Sequence, residues 1–98
     1  MELEDVKQGL ATGAIYLVDV REPHEYAAGH IPGAINMPLS AFDVQALPRD
    51  RKVVLSCQSG RRTLIGLQQA QAFGRADVDT HFEGSFNAWL QAGESIEM

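Results

Sequence analysis

Two short apolar runs, "IYLVDV" at 15–20 and "KVVLSC" at 52–57, constrain this chain more than anything else in it. Both are rich in β-formers and read as buried strands. Helical segments alternate with them. Leu3, Val6 and Leu10 fall at helical spacing, with Gly13 as the stop. "EPHEYAAGH" carries Pro23 early and Gly29 at its end, which predicts a short helix. "IPGAINMP", bracketed by Pro32 and Pro38, leaves room for a very short strand from Ala34 to Met37. "LSAFDVQAL" predicts a second short helix, with Ser40 as candidate cap and Pro48 closing it. From Arg62 onward Leu64, Leu67, Ala70 and Phe73 recur every third residue, and Gly74 supplies the stop. "DVDTHFEG" alternates polar and apolar, so a strand with one wet face is expected there. A last helix, "SFNAWLQAG", starts at Ser85 as candidate cap and ends at Gly93. Alternating strands and helices predict an α/β fold: a small parallel sheet flanked by helices on both faces. Ligands of such sheets bind at the carboxyl ends of the strands, and Cys57 stands at one of those ends.

Ninety-eight residues fit one domain, 1–98, with a single modest core. Thirteen acidic residues against eight basic give a net charge of −5, which disfavours a nucleic-acid surface. The basic residues nonetheless include the pair Arg61/Arg62 beside Cys57, so the site can be locally positive on an acidic protein. No apolar run approaches the roughly 20 residues of a membrane span. The opening "MELEDVKQGL" lacks the layout of a signal peptide. One cysteine leaves no internal disulfide framework, and a cytoplasmic location is expected.

A lone cysteine is more often a small buried hydrophobe than a reactive group. Three local features argue otherwise here. Cys57 ends an apolar strand and emerges at the sheet's carboxyl edge. Gln58, Ser59 and Gly60 are loop formers, and Gly60 permits the tight backbone that turns successive N–H groups inward. The helix that follows aims its positive N-terminal end back at the sulfur. Such a setting, with arginines near, stabilises a thiolate and suits an anionic substrate.

The stretch "CQSGRRT" resembles the active-site loop of rhodanese-type sulfurtransferases, Cys-x-x-Gly-x-Arg-Ser/Thr, with Cys57, Gly60, Arg62 and Thr63 in place. "DVREPHEYAAGHIPGAINMP", 19–38, is similar to that family's Asp-Val-Arg-x-x-x-Glu-Tyr/Phe-x-x-Gly-His-Ile-x-Gly-Ala-x-Asn segment. "FEGSFNAWLQAG", 82–93, resembles its closing Gly-Gly-x-x-x-Trp-x-x-Ala-Gly helix, with Ser85 in place of the second Gly. The three segments keep the family's order over nearly the whole chain. A single-domain rhodanese-like fold and a ping-pong reaction are what the resemblance implies. The Cys57 thiolate would take the outer sulfur of a donor such as thiosulfate, release sulfite and pass its persulfide sulfur to cyanide or a thiol. Backbone N–H groups of Gln58, Ser59, Gly60, Arg61 and Arg62 would cradle the persulfide. Partners under this reading are a small anionic donor and a thiol or cyanide acceptor, with a sulfur-relay protein as a further one. No cofactor and no metal are required. The family often begins with an edge strand, which this chain, starting at its first helix, is expected to lack.

Two other readings compete. Related phosphatases use Cys-x5-Arg, but the sixth residue after Cys57 is Thr63, so the loop is one residue short of gripping a phosphate. Rhodanese-like domains also serve as non-catalytic modules, often without the cysteine, and a persulfide carrier lies between module and enzyme. Arg62 is expected to hold the loop through a carboxylate such as Asp19, leaving Arg61 to reach solvent and meet substrate. Asp19, Arg21 and Glu25 are expected to form supporting ion pairs, and Thr63 to cap or begin the helix. Gly66 in the helix interior implies close packing against the sheet. Asp77, Asp79, His81 and Glu83 alternate as on a solvated strand face, without the spacing of a calcium loop. His24 and His30 lack zinc-ligand spacing, His30 is expected to bond within its own loop, and Trp89 reads as core.

Overall fold

The computed structural model describes residues 1–98. Its elements run α1 Leu3–Thr12, β1 Ile15–Asp19, α2 Pro23–Ala28, β2 Ile35–Asn36, β3 Lys52–Ser56, α3 Arg62–Ala72, β4 Thr80–His81 and α4 Ser85–Gln91. The four strands form one parallel sheet in the order β2-β1-β3-β4. The two apolar runs found in the sequence are its central pair, in register from Ile15 against Lys52 to Asp19 against Ser56.

Period-2 alternation sorts the apolar residues between the two faces. Ile15, Leu17 and Val54 meet Val6 of α1 and Phe86 and Trp89 of α4 on one side. Val18, Val53, Leu55 and Cys57 meet Ala70 of α3, with Val44, Leu47 and Val78, on the other. Each cluster holds nine buried residues, so neither sheet face is left to solvent. The helices are therefore on both faces, as the sequence pattern requires. Gly66 lets α3 approach closely, since a Cβ there would stand 2.9 Å from Leu55 Cδ1. The start and stop residues act as expected in α1, where Gly13 has φ 75° and donates to the carbonyls of Gly9 and Leu10.

Three expectations are corrected. The stretch 39–47 is not a helix but two 3-10 turns, Leu39–Ala41 and Val44–Ala46, with Phe42 and Asp43 extended between them. Ser40 caps nothing; its hydroxyl donates to Glu22 Oε1 at 2.7 Å. Residues 77–83 give only the two-residue β4, because Arg75 pulls Asp77 into an ion pair at 2.8 Å and accepts the Val78 N–H in a turn. The supposed wet face is accordingly dispersed: Asp79 pairs with Lys52, while His81 is half-buried against Thr63. Lastly, Gly84 rather than Ser85 is the cap residue of α4. Ser85 is the first helical residue, and its hydroxyl goes elsewhere.

Candidate active site

The β3 strand delivers Cys57 to the carboxyl edge of the sheet, where 57–61 turn back into α3. Three of this loop's carbonyls are taken, two by α4 and one by Thr63 of α3. Cys57 O accepts from Phe86 N and Gln58 O from Asn87 N, both at 3.0 Å. Gly60 O accepts from the Thr63 hydroxyl at 2.9 Å. With those carbonyls held outward, N–H groups face the sulfur: Gly60 N lies 3.1 Å from Cys57 Sγ. Gly60 has φ 91°, and a Cβ there would run into the carbonyl oxygen of Glu83, so this turn needs glycine.

Burial pushes the Cys57 thiol up, since charging a buried sulfur is costly. The N–H groups of Thr63, Gly60 and Ser59 and the Ser85 hydroxyl pull it down and prevail, so it ionises below the usual thiol value. Cys57 is only 1% exposed and lies at the floor of the loop. The protein's two surface cavities are elsewhere, one between α1 and the starts of β1 and β3, the other beside Phe42 and Phe73. The sulfur is thus nearly covered, and neither cavity is lined by it.

The flanking charges form two clamps. Asp19 and Arg21 are both buried, and Nε and Nη2 of the arginine fork onto the carboxylate at 2.8–3.1 Å. The same guanidinium donates to Gly29 O at 2.8 Å and to Gln58 Oε1 at 3.2 Å, and stacks 4.5 Å above the Phe86 ring. Gln58 in turn donates to Asn87 Oδ1 at 2.6 Å, which ties the first loop residue to α4. The second clamp corrects the expected partner of Arg62. Both Asp19 oxygens are occupied by Arg21, and Arg62 instead grips Glu25 of α2 at 2.6 and 3.0 Å. The Arg62 hydrogen bond is the main cause that holds the Glu25 carboxyl down at about 2. Arg61 is exposed and makes no ion pair.

Of the residues singled out in the sequence, Cys57, Gln58, Ser59, Gly60, Arg61, Arg62 and Thr63 form the loop itself. Asp19 and Arg21 reach it through Gln58. Three neighbours carried no warning of their roles. Asn87 looked like an ordinary helix residue. Ser85 reads in the sequence as a helix cap and as a departure from the paired glycines, and His81 as part of a solvated strand face. His81 Nδ1 lies 2.7 Å from the Thr63 hydroxyl, which also reaches Gly60 O at 2.9 Å, so the ring is tied to the loop through Thr63.

The Rhodanese-like domain model matches residues 2–92. The chain belongs to the rhodanese-like family. It is 34% identical over 101 residues to a protein of Allochromatium vinosum named "Sulfurtransferase", covering 98% of this chain and 92% of that one. It is 34% identical over 107 residues to the human "Thiosulfate:glutathione sulfurtransferase", covering 93% and 92%. Against an uncharacterised Synechocystis protein, slr1261, it is 43% identical over 82 residues but spans only 45% of that protein's length. The solved structure of the human single-domain sulfurtransferase TSTD1 superposes with a TM-score of 0.78 at 32% identity, over 93% of this chain and 94% of the other. These rhodanese-like relatives support a transferase of sulfur. No helix of the chain is long and apolar enough to cross a membrane.

Proposed function

We propose that this protein is a sulfurtransferase that carries one sulfur atom on Cys57 as a persulfide. The observation behind the reading is the setting of the sulfur, with Gly60 N–H at 3.1 Å, its thiol biased toward thiolate and almost nothing exposed. A thiolate attacks the outer sulfur of thiosulfate in line with its S–S bond. That bond breaks, its electron pair leaves with sulfite, and the Cys57 sulfur gains the outer atom as a persulfide anion. A second thiolate then attacks the outer persulfide sulfur, and the electron pair of the broken bond returns to Cys57. Both steps balance without an external oxidant or reductant. The inward N–H groups stabilise negative charge on sulfur throughout, as an oxyanion hole does for oxygen. Exposed Arg61 draws the anionic donor to the mouth of the loop. Glutathione is the acceptor that the human relative's name suggests, and the absence of a second cysteine leaves release to an external acceptor.

The same geometry argues against phosphate chemistry. A phosphatase of this type needs a guanidinium six residues after the cysteine, and Thr63 stands there, turned onto Gly60 and His81. Arg62, one residue earlier, is committed to Glu25. The test is steady-state kinetics with thiosulfate and glutathione varied together, following sulfite release. A persulfide intermediate gives parallel double-reciprocal lines and no turnover in Cys57→Ser. Intersecting lines, or turnover in that variant, would contradict it.

A further inference from the structure

Ser85 is the only non-glycine residue with a positive φ, 51°, and it is completely buried. A left-handed conformation at a non-glycine residue carries a steric cost and persists only when its surroundings hold it. Here the Ser85 N–H, bonded to Phe82 O at 3.1 Å, holds it together with the side-chain hydroxyl. Ser85 Oγ accepts from Cys57 N at 3.1 Å, donates to Phe82 O at 2.8 Å, and stands 3.9 Å from Cys57 Sγ. A hydroxyl has one hydrogen, so its donor faces a choice between the Phe82 carbonyl and the sulfur. Against a neutral thiol the carbonyl is the better acceptor. Against a thiolate the balance moves to the sulfur, because hydrogen bonds to charged acceptors are stronger.

We propose that Ser85 is a positioning residue for Cys57, anchoring its backbone N–H and turning its hydroxyl hydrogen onto the sulfur as negative charge develops there. The proposal rests on the reading of Cys57 as a reactive thiolate, and deepens it by adding a side-chain donor to the backbone nest. It also gives the costly φ a reason, since glycine would hold the turn without strain but would offer no donor. The other charged and titratable groups around the sulfur are exposed Arg61 in the loop itself, Arg62 with Glu25, Arg21 with Asp19 beyond Gln58, and His81 behind Thr63. None of them contacts Ser85, so a substitution at 85 leaves them in place.

The experiment is a titration of the Cys57 thiol by its thiolate ultraviolet absorbance, over roughly pH 5 to 10 around the ordinary thiol value. Wild type is compared with Ser85→Ala and Ser85→Gly, each measured against the same protein carrying Cys57→Ser to remove the tyrosine signal. Ser85→Ala keeps the strained Cβ, while Ser85→Gly suits the backbone and guards against misfolding. Loss of the donor raises the thiol pKa in both variants, cutting the thiolate fraction on the acid limb by about threefold to tenfold, or half to one pKa unit. Melting temperature separates the structural role: Ser85→Gly is expected to melt no lower than Ser85→Ala. An unchanged or lowered pKa in Ser85→Gly would overturn the proposal, as would a rise confined to Ser85→Ala. No sulfur donor enters the measurement, so a shifted pKa in a protein that never accepts sulfur would sink the sulfurtransferase reading and leave this one standing.

Discussion

At Gly60 a single missing Cβ decides whether the loop exists. The residue combines φ 91°, a clash with Glu83 O for any side chain, and the N–H that reaches Cys57 Sγ. Gly60→Ala is therefore expected to destabilise the fold by about 1–3 kcal/mol, the usual cost of holding a non-glycine residue in such a conformation. Any folded fraction should lose sulfur transfer more than tenfold, because the nearest N–H moves off the sulfur (~1.4 kcal/mol per factor of ten). Chemical denaturation and sulfite release from thiosulfate measure the two effects separately. A fully active, stable Gly60→Ala would show that the loop works in another shape. This residue was legible in the sequence, because the Cys-x-x-Gly spacing carries its reason with it. Ser85 was not. Its sequence position just before an apolar helix suggests a cap, and only the fold shows that the backbone turns left-handed there and brings the hydroxyl under β3.

Pairs of elements are joined at the site by charge. The Arg62–Glu25 fork ties α3 to α2, and the Glu25 Oε1 that accepts from Arg62 also accepts the Glu22 N–H, pinning the start of α2. Folding lowers the Glu25 carboxyl from 4.5 to about 2. A group depressed in the folded state contributes stability that is fully present above its unfolded value and is lost as pH falls through the folded one. Both side chains keep about a third of their surface or somewhat less in water, 33% for Arg62 and 27% for Glu25. Solvent screening accordingly reduces the pair's contribution to about 1 kcal/mol. Glu25→Gln should lose that amount at neutral pH, and the gap from wild type should close between 4.5 and about 2. Urea unfolding at several pH values checks this; a gap that persists at the acid end would show that the fork is not the cause. Sequence spacing cannot assign such partners. The sequence points Arg62 to a carboxylate such as Asp19, but in the fold Arg21 occupies both Asp19 oxygens and Arg62 takes Glu25 instead. Likewise the apolar positions Leu39, Phe42, Val44 and Leu47 step by three, two and three. The step of two breaks a helical stripe, which is why that stretch lies on α3 as two separate turns.

Over the whole molecule the two ends of the sheet do different work. The carboxyl edge carries Cys57, while the amino edge is fastened by Arg75, which is fully buried. Its guanidinium donates to the carbonyls of Val44, Leu47 and Pro48 and forks onto Asp77, joining the segment before β3 to the one before β4. Arg75→Met removes these donors and leaves buried carbonyls without partners. It is expected to lower the melting temperature more than Glu25→Gln does, while the folded protein keeps its sulfur-transfer rate. A specific loss of rate without a loss of stability would mean that the two ends are coupled. The central strands and the flanking helices could be read from the sequence because hydrophobic periodicity is a local signal. Arg75 could not, because a buried arginine is defined by the carbonyls it finds some 30 residues away.

The central claim, that Cys57 carries sulfur, is tested most directly by intact mass. The reduced protein is weighed before and after thiosulfate or glutathione persulfide, then after cyanide, with Cys57→Ser alongside. A gain of about 32 Da, one sulfur atom on the thiolate, is expected on wild type alone and should vanish as thiocyanate forms. No gain from either donor, with the thiol confirmed reduced, would contradict the claim and leave a rhodanese-like binding module.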